Sequence, residues 1–96
     1  MSFYFHPDAE TELSHAVAYY EELQKDLGLA FAQEIFDTIQ RIIEFPEAWQ
    51  PITTKSRRCL TNRFPFGVIY QIQEDAIVII AVMHLHKEPN YWKNRK

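Results

Sequence analysis

Two imidazoles, His84 and His86, stand two positions apart at the end of the most apolar run of the chain, Ala76 to Leu85. Residues two apart on a strand point to one face, and imidazole titrates near neutral pH, so the pair is suited to passing protons. Arg58, Arg63 and Lys87 could stabilise negative charge developing on a phosphate, and Tyr91 could add a hydroxyl. A His-x-His pair also ligates metals, but no third ligand at suitable spacing accompanies it, so neither a metal nor a cofactor is expected. The plainer reading of His84 is structural, a histidine that closes a central strand by bonding backbone groups and anchors the tail. Tyr91 and Trp92 likewise read first as packing residues and only second as a platform for a nucleobase.

Such residues need a sheet to hold them. Phe66, Val68, Tyr70 and Ile72 alternate with Gly67, Ile69, Gln71 and Gln73, the period-two pattern of a strand with one well-buried face. Glu74-Asp75 supplies the turn. In the returning arm, Ile77, Ile79, Ala81 and Met83 on one face are matched by Val78, Ile80 and Val82 on the other, which places that arm inside a sheet. Arg57 to Phe64 is also strand-like, and Pro65 separates it from the hairpin, so these three strands form an antiparallel meander.

Upstream, Ser2 to Phe5 is a short β segment ended by His6-Pro7, because the residue before a proline is pushed away from helical geometry. A helix opens at Pro7 with Asp8 and Glu10 near the positive end of its dipole. Ala9, Leu13, Ala16, Val17, Tyr20 and Leu23 share its apolar face. Glu10, Glu12, Glu21 and Glu22 read as a solvated acidic surface. Leu27-Gly28 reads as the break, with glycine taking the left-handed conformation that closes a helix. Phe31, Ile35, Ile39 and Ile42 give the second helix its stripe until Phe45-Pro46. Glu47 to Ser56 reads as an ordered loop with Trp49 as a lid over the core. The predicted order is β-α-α-β-β-β, an α+β domain with a helical hairpin packed on one face of a twisted, mainly antiparallel sheet.

At 96 residues the chain has room for one domain, residues 1–96, and one core, and its 47% apolar content is that of a globular protein. The apolar run from Ala76 is too short to span a bilayer and the N-terminus lacks the pattern of a secretory signal, so no membrane partner and a cytoplasmic location are expected. The single cysteine, Cys59, fits a reducing compartment and reads as a small apolar strand residue. Net charge is -3, but the acids concentrate in residues 8–47, while Lys55, Arg57, Arg58, Arg63, Lys87, Lys93, Arg95 and Lys96 leave the second half basic. A nucleic-acid contact would use that half.

Several stretches resemble the RelE/ParE superfamily, the toxins of bacterial type II toxin–antitoxin modules often labelled plasmid stabilisation proteins. They are Ala16-Val17-Ala18-Tyr19-Tyr20-Glu21, Leu27-Gly28-Leu29-Ala30-Phe31, Ile43-Glu44-Phe45-Pro46, Arg58, Phe64 to Tyr70, Ile80 to His84 and Pro89-Asn90-Tyr91-Trp92. The likeness runs through nearly the whole chain in order. It implies a growth-inhibiting toxin neutralised by a cognate antitoxin, with one of two activities: ParE-like members poison DNA gyrase, and RelE-like members cleave messenger RNA on the ribosome. Fold does not choose between them. For a metal-independent endoribonuclease, His84, His86, Arg58, Arg63, Lys87 and Tyr91 are the catalytic candidates. RelE-like nucleases, however, commonly carry arginine where this chain has Gly67, and again where it has His86 and Lys87. Lysine does not reproduce arginine's planar, bidentate contact with phosphate, and a pI near 5.7 gives weak attraction to ribosomal RNA. The resemblance therefore leans to the ParE side.

The sheet's second face also needs cover. Ile69, Val78, Ile80 and Val82 are expected to form an apolar strip beyond the reach of the helices, bounded by Arg58, Arg63 and Lys87, over which an antitoxin segment would fold. The partners admitted are that antitoxin, DNA gyrase or the ribosome with its messenger RNA, and a second copy of the chain in a homodimer. A degenerate member retaining only antitoxin binding is the remaining alternative.

Overall fold

The computed structural model describes residues 1–95, so Lys96, counted above in the basic half, lies outside the described residues. In chain order the elements are β1 (Ser2–Phe5), α1 (Pro7–Leu23), α2 (Leu27–Glu44), β2 (Gln50–Pro51), β3 (Ser56–Leu60), β4 (Phe66–Gln73) and β5 (Ala76–His84). The five strands form one sheet in the order β1-β5-β4-β3-β2, antiparallel throughout except that β1 runs parallel to β5. The strand read as apolar on both faces is interior, held between β1 and β4.

Helix α1 starts as its sequence dictates. Pro7 occupies the first turn, and the His6 ring caps it by accepting from the Asp8 amide at 3.0 Å. Ala9 is fully buried and Leu13, Ala16, Val17 and Tyr20 pack on the core, but Leu23, the last helical residue, is exposed. In α2, Phe31, Ile35, Ile39 and Ile42 are all fully buried against the sheet, each contributing about 2 kcal/mol of hydrophobic stabilisation. Trp49 closes that core from the side and donates Nε1–H to the Arg41 carbonyl at 3.3 Å.

The helix break differs from expectation in an instructive way. The left-handed residue is Asp26, at φ 67°, and Gly28 lies inside the first turn of α2 with negative φ. Its glycine is required by proximity: a Cβ there would stand 2.5 Å from the Val17 carbonyl oxygen of α1. Glu21, read as solvated, accepts from the Asp26 and Gly28 amides at 3.0 and 3.1 Å, so α1 caps its successor.

Two strand boundaries move as well. The expected strand from Arg57 to Phe64 ends at Leu60, because Thr61 turns the chain with its hydroxyl on the Phe64 carbonyl and its amide on the Phe66 carbonyl. The stretch read as loop contains β2, where Gln50 pairs with Arg58 and Pro51 with Arg57; proline is tolerated there because the strand is an edge.

The largest correction concerns which way β5 faces. Ile69 pairs with Ala81 and Tyr70 with Ile79, leaving Ile80 as the extra residue of a β-bulge. Before the bulge Ile77 and Ile79 face the helices, and after it Val82 does. Val78, Ile80, Ala81 and Met83 lie on the second face. Strict alternation assigned Ala81 and Met83 to the helix side and Val82 to the other; one unpaired residue exchanges them. Nor is the second face bare. Ile69, Val78 and Ile80 are at most 5% exposed, under a cluster that includes Trp92 and has Tyr91 and Ile52 packed on it.

Candidate functional site

Because the bulge reverses the parity of β5, the His84 side chain emerges on the helix side, paired across the ladder with Phe66. Its ring meets Phe66 edge-on at 5.1 Å. Strand β5 stops at His84, so His86 does not share its face through strand periodicity. A turn brings them together instead: the His86 amide donates to His84 Nδ1 at 3.0 Å and the two rings lie 5.1 Å apart. Since Nδ1 is the acceptor, a neutral His84 carries its proton on Nε2.

His84 lines a groove of about 290 Å³ between α1 and the end of the sheet, together with Lys87, Tyr91, His15, Tyr19 and Tyr20. The Lys87 ammonium and the Tyr91 hydroxyl are both engaged there. The Lys87 ammonium rests 4.8 Å from the centre of the Tyr91 ring, a cation–π contact. The Tyr91 hydroxyl donates to Glu12 Oε2 at 2.6 Å, and burial, then this bond to the carboxylate, push its pKa well above the usual phenol value. A phenol so held keeps its proton.

The arginines are elsewhere. Arg58 pairs with Ile69, hence its side chain is on the second face, opposite His84. Its stem crosses Gly67, where an added Cβ would come within 3.1 Å of Arg58 Cγ and Cδ, and its Nη2 donates to Gln50 Oε1 at 2.9 Å. Arg58 Nε is enclosed and finds no hydrogen-bond partner among the described residues. Arg63 sits in the turn before β4 with its guanidinium 5.2 Å from the centre of the Phe64 ring. The structure thus gathers His84, His86, Lys87 and Tyr91 at the sheet edge beside α1, with Tyr91 also packed on the second-face cluster, and sends Arg58 to the opposite face.

What the sequence reading missed is Glu12. This carboxylate, taken for surface, accepts from the Val82 amide at 3.0 Å, from Tyr91, and from both terminal nitrogens of Arg95 at 2.9 Å. Arg95 Nη1 also donates to the Ile80 carbonyl at 2.9 Å. Strand β1 pairs with β5 only as far as Ile79, so beyond it the edge of β5 would hold unpaired backbone groups. Glu12 and Arg95 satisfy two of them. Spacing holds the signal: Glu12 lies three residues after Ala9 and four before Ala16, at the border of the apolar stripe.

A family model described as the ParE toxin of the type II toxin–antitoxin system, parDE, matches residues 3–89. Toxin ParE2 of Mycobacterium tuberculosis strain H37Rv is 29% identical over 86 residues, spanning 88% of this chain and 82% of its own, and the same toxin of strain CDC 1551 / Oshkosh matches equally. Among solved structures, a chain of the chromosomal ParDE TA system from P. aeruginosa superposes with a TM-score of 0.77 at 18% identity, covering 88% of this chain and 96% of that one. At that identity the likeness is one of fold.

Proposed function

The chain belongs to the ParE toxin family of type II toxin–antitoxin systems, and from that membership we propose that it arrests growth in the cytoplasm by binding DNA gyrase. A cognate antitoxin neutralises it. The observation that supports binding over catalysis is the state of the nuclease candidates: four of the six gather at one edge, but their cation and hydroxyl are engaged and Arg58 is absent from them. Arg58 lies on the far face of the sheet from His84, the Tyr91 hydroxyl is bound to Glu12, and the Lys87 ammonium covers the Tyr91 ring. Metal-free cleavage needs a base, an acid and fixed cations around a single phosphate, with the charges held in place before the reaction. The net charge of -3 points the same way, since a pI near 5.7 gives weak long-range attraction to ribosomal RNA.

One observation favours messenger RNA cleavage as a second reading: His84 lines the groove shared with Lys87, His15 and Tyr19. Induced expression of the chain alone in a bacterial host separates the two. Binding to gyrase gives growth arrest with DNA damage signalling, altered plasmid supercoiling and intact messenger RNA. Arrest with cleaved messenger RNA and normal supercoiling overturns it in favour of the nuclease, and no arrest leaves antitoxin binding as the remaining role. Sedimentation of the isolated chain reads whether it forms a homodimer.

A further inference from the structure

The two edges of the sheet are finished differently. On one side β2 is only Gln50–Pro51, and its proline, with Arg57 and Arg58 on the next strand, blunts further pairing. On the other side β1 ends the sheet with no such device. Ser2 to Phe5 carries no charge, no proline and no bulge, in a chain whose net charge is -3.

The hydrogen bonding of β1 is one-sided. The N–H and C=O of a strand residue point the same way, and the direction alternates along the chain. The His6 amide donates to the Ile79 carbonyl at 2.8 Å, so Tyr4, two residues earlier, also faces β5. Phe3 and Phe5 therefore turn their backbone groups outward, where no strand among the described residues meets them. Aromatic side chains surround this open row. Tyr4 is 53% exposed on the second face; on the helix side Phe36 is 42% exposed, with its ring 6.5 Å from that of Phe3 and 6.2 Å from that of Phe5.

We propose that β1 pairs antiparallel with β1 of a second copy, Phe3 opposite the partner's Phe5 and Tyr4 opposite the partner's Tyr4, merging two five-stranded sheets into one. Three features select a second copy over a foreign strand. Phe-Tyr-Phe reads the same in both directions, so a two-fold axis at Tyr4 places like beside like. In that register Phe3 and Phe5 form the hydrogen-bonded pairs and satisfy each other's outward groups, and the ladder stops before Pro7, which has no N–H to offer. The seam is uncharged, so two copies, each at net -3, meet where neither repels the other. The Tyr4 rings become a cross-strand aromatic pair on one face, and Phe3 with the partner's Phe5 forms another on the opposite face. A four-residue strand gives a small interface, so the association is weak and depends on concentration. It is independent of the choice between gyrase and messenger RNA.

The test is sedimentation velocity of the untagged chain alone over a concentration series, beside Tyr4→Lys, Tyr4→Cys and Ser2→Cys. Thermal midpoints serve as the folding control. The wild type shifts from 11.4 kDa toward twice that mass as concentration rises. Tyr4→Lys sets two ammonium groups across the axis and weakens the association on the order of tenfold or more, less so at high salt. Under mild oxidation Tyr4→Cys crosslinks two copies, since directly opposed Cβ atoms stand roughly 4.5–5.5 Å apart. Ser2→Cys, roughly 13 Å from its counterpart in this register, does not, and neither does the wild type, whose Cys59 is buried. A wild type that stays at 11.4 kDa up to ~1 mM overturns the proposal. So does a dimer that Tyr4→Lys leaves at full strength, or a Ser2→Cys variant that crosslinks as fast as Tyr4→Cys. A monomeric wild type whose antitoxin affinity falls with Tyr4→Lys would give the edge to the antitoxin instead.

Discussion

The Glu12 carboxylate receives two parallel hydrogen bonds of 2.9 Å from the Arg95 guanidinium, 83 residues later in the chain. This pair ties the first helix to the tail across the edge of β5, and Asp8 adds a longer contact to Arg95 Nε at 3.6 Å. Both side chains are largely withdrawn from water, at 19% and 14% exposure, so the pair is screened less than a surface salt bridge. Its removal uncovers what it satisfies.

Glu12→Ala leaves the Val82 amide, the Tyr91 hydroxyl and Arg95 without their shared acceptor. The expected loss is about 3 kcal/mol, read as a lowered midpoint in urea unfolding. Tail fluorescence from Trp92 should shift before the global transition. A loss within about 0.5 kcal/mol, the range of ordinary surface substitutions, would show that the network is ornamental.

Glu21→Ala removes the carboxylate that accepts from the Asp26 and Gly28 amides. Helix α2 then starts with two more unsatisfied donors, at a cost of about 1–2 kcal/mol. Urea denaturation checks this, and Glu21→Gln, which keeps an acceptor, should recover part of the loss. Equal losses in the two variants would mean that the bonds do not act as a cap.

Gly28→Ala discriminates between two rules. Helix propensity alone predicts stabilisation of about 1 kcal/mol for alanine within a helix. The new methyl would stand 2.5 Å from the Val17 carbonyl oxygen and 3.0 Å from Glu21 Cβ, so we expect destabilisation of about 2 kcal/mol. A raised melting temperature would show that α1 and α2 can separate freely.

Tyr70 makes stability sensitive to alkali. The side chain is fully buried and donates to the Pro46 carbonyl. Burial pushes its pKa up to about 12, against the opposing pull of Arg57. An unfolded tyrosine titrates near ~10, so above that pH the unfolded chain loses a proton the folded one keeps. The stabilisation is full below pH ~10 and is lost as pH rises through the folded value. Tyr91, raised also, adds in the same direction. Urea midpoints from pH 8 to about 11.5 should therefore fall for the wild type and fall less for Tyr70→Phe; parallel curves would exclude Tyr70 as a source.

Much of the architecture was legible because its signals are local. Alternation along Phe66 to Gln73, the two-residue turn at Glu74-Asp75, the start of α1 at Pro7 and the buried stripe of α2 each depend on neighbours a few residues away, and each stands in the structure. Gly28 was recognised as special but for a different reason, since the proximity of Val17 is a contact between helices. Of the candidate residues, His84 and His86 do come together, yet through a backbone bond in a turn and not through shared strand parity.

The sequence by itself determined the type of every element but the two-residue β2, the interior place of β5 and the family pattern, because hydrophobic periodicity and turn chemistry act within a dozen residues. Tertiary structure alone decided which groups meet. The bulge at Ile80 shows why: a strand's two faces are set by a period of two, so one extra residue turns Val82 and His84 toward the helices and leaves Arg58 behind on the other face. Glu12 became a structural anchor by the same logic. A carboxylate at the border of an apolar stripe stays in water unless the fold brings it unpaired backbone groups and a cation, and here they come from β5 and from Arg95.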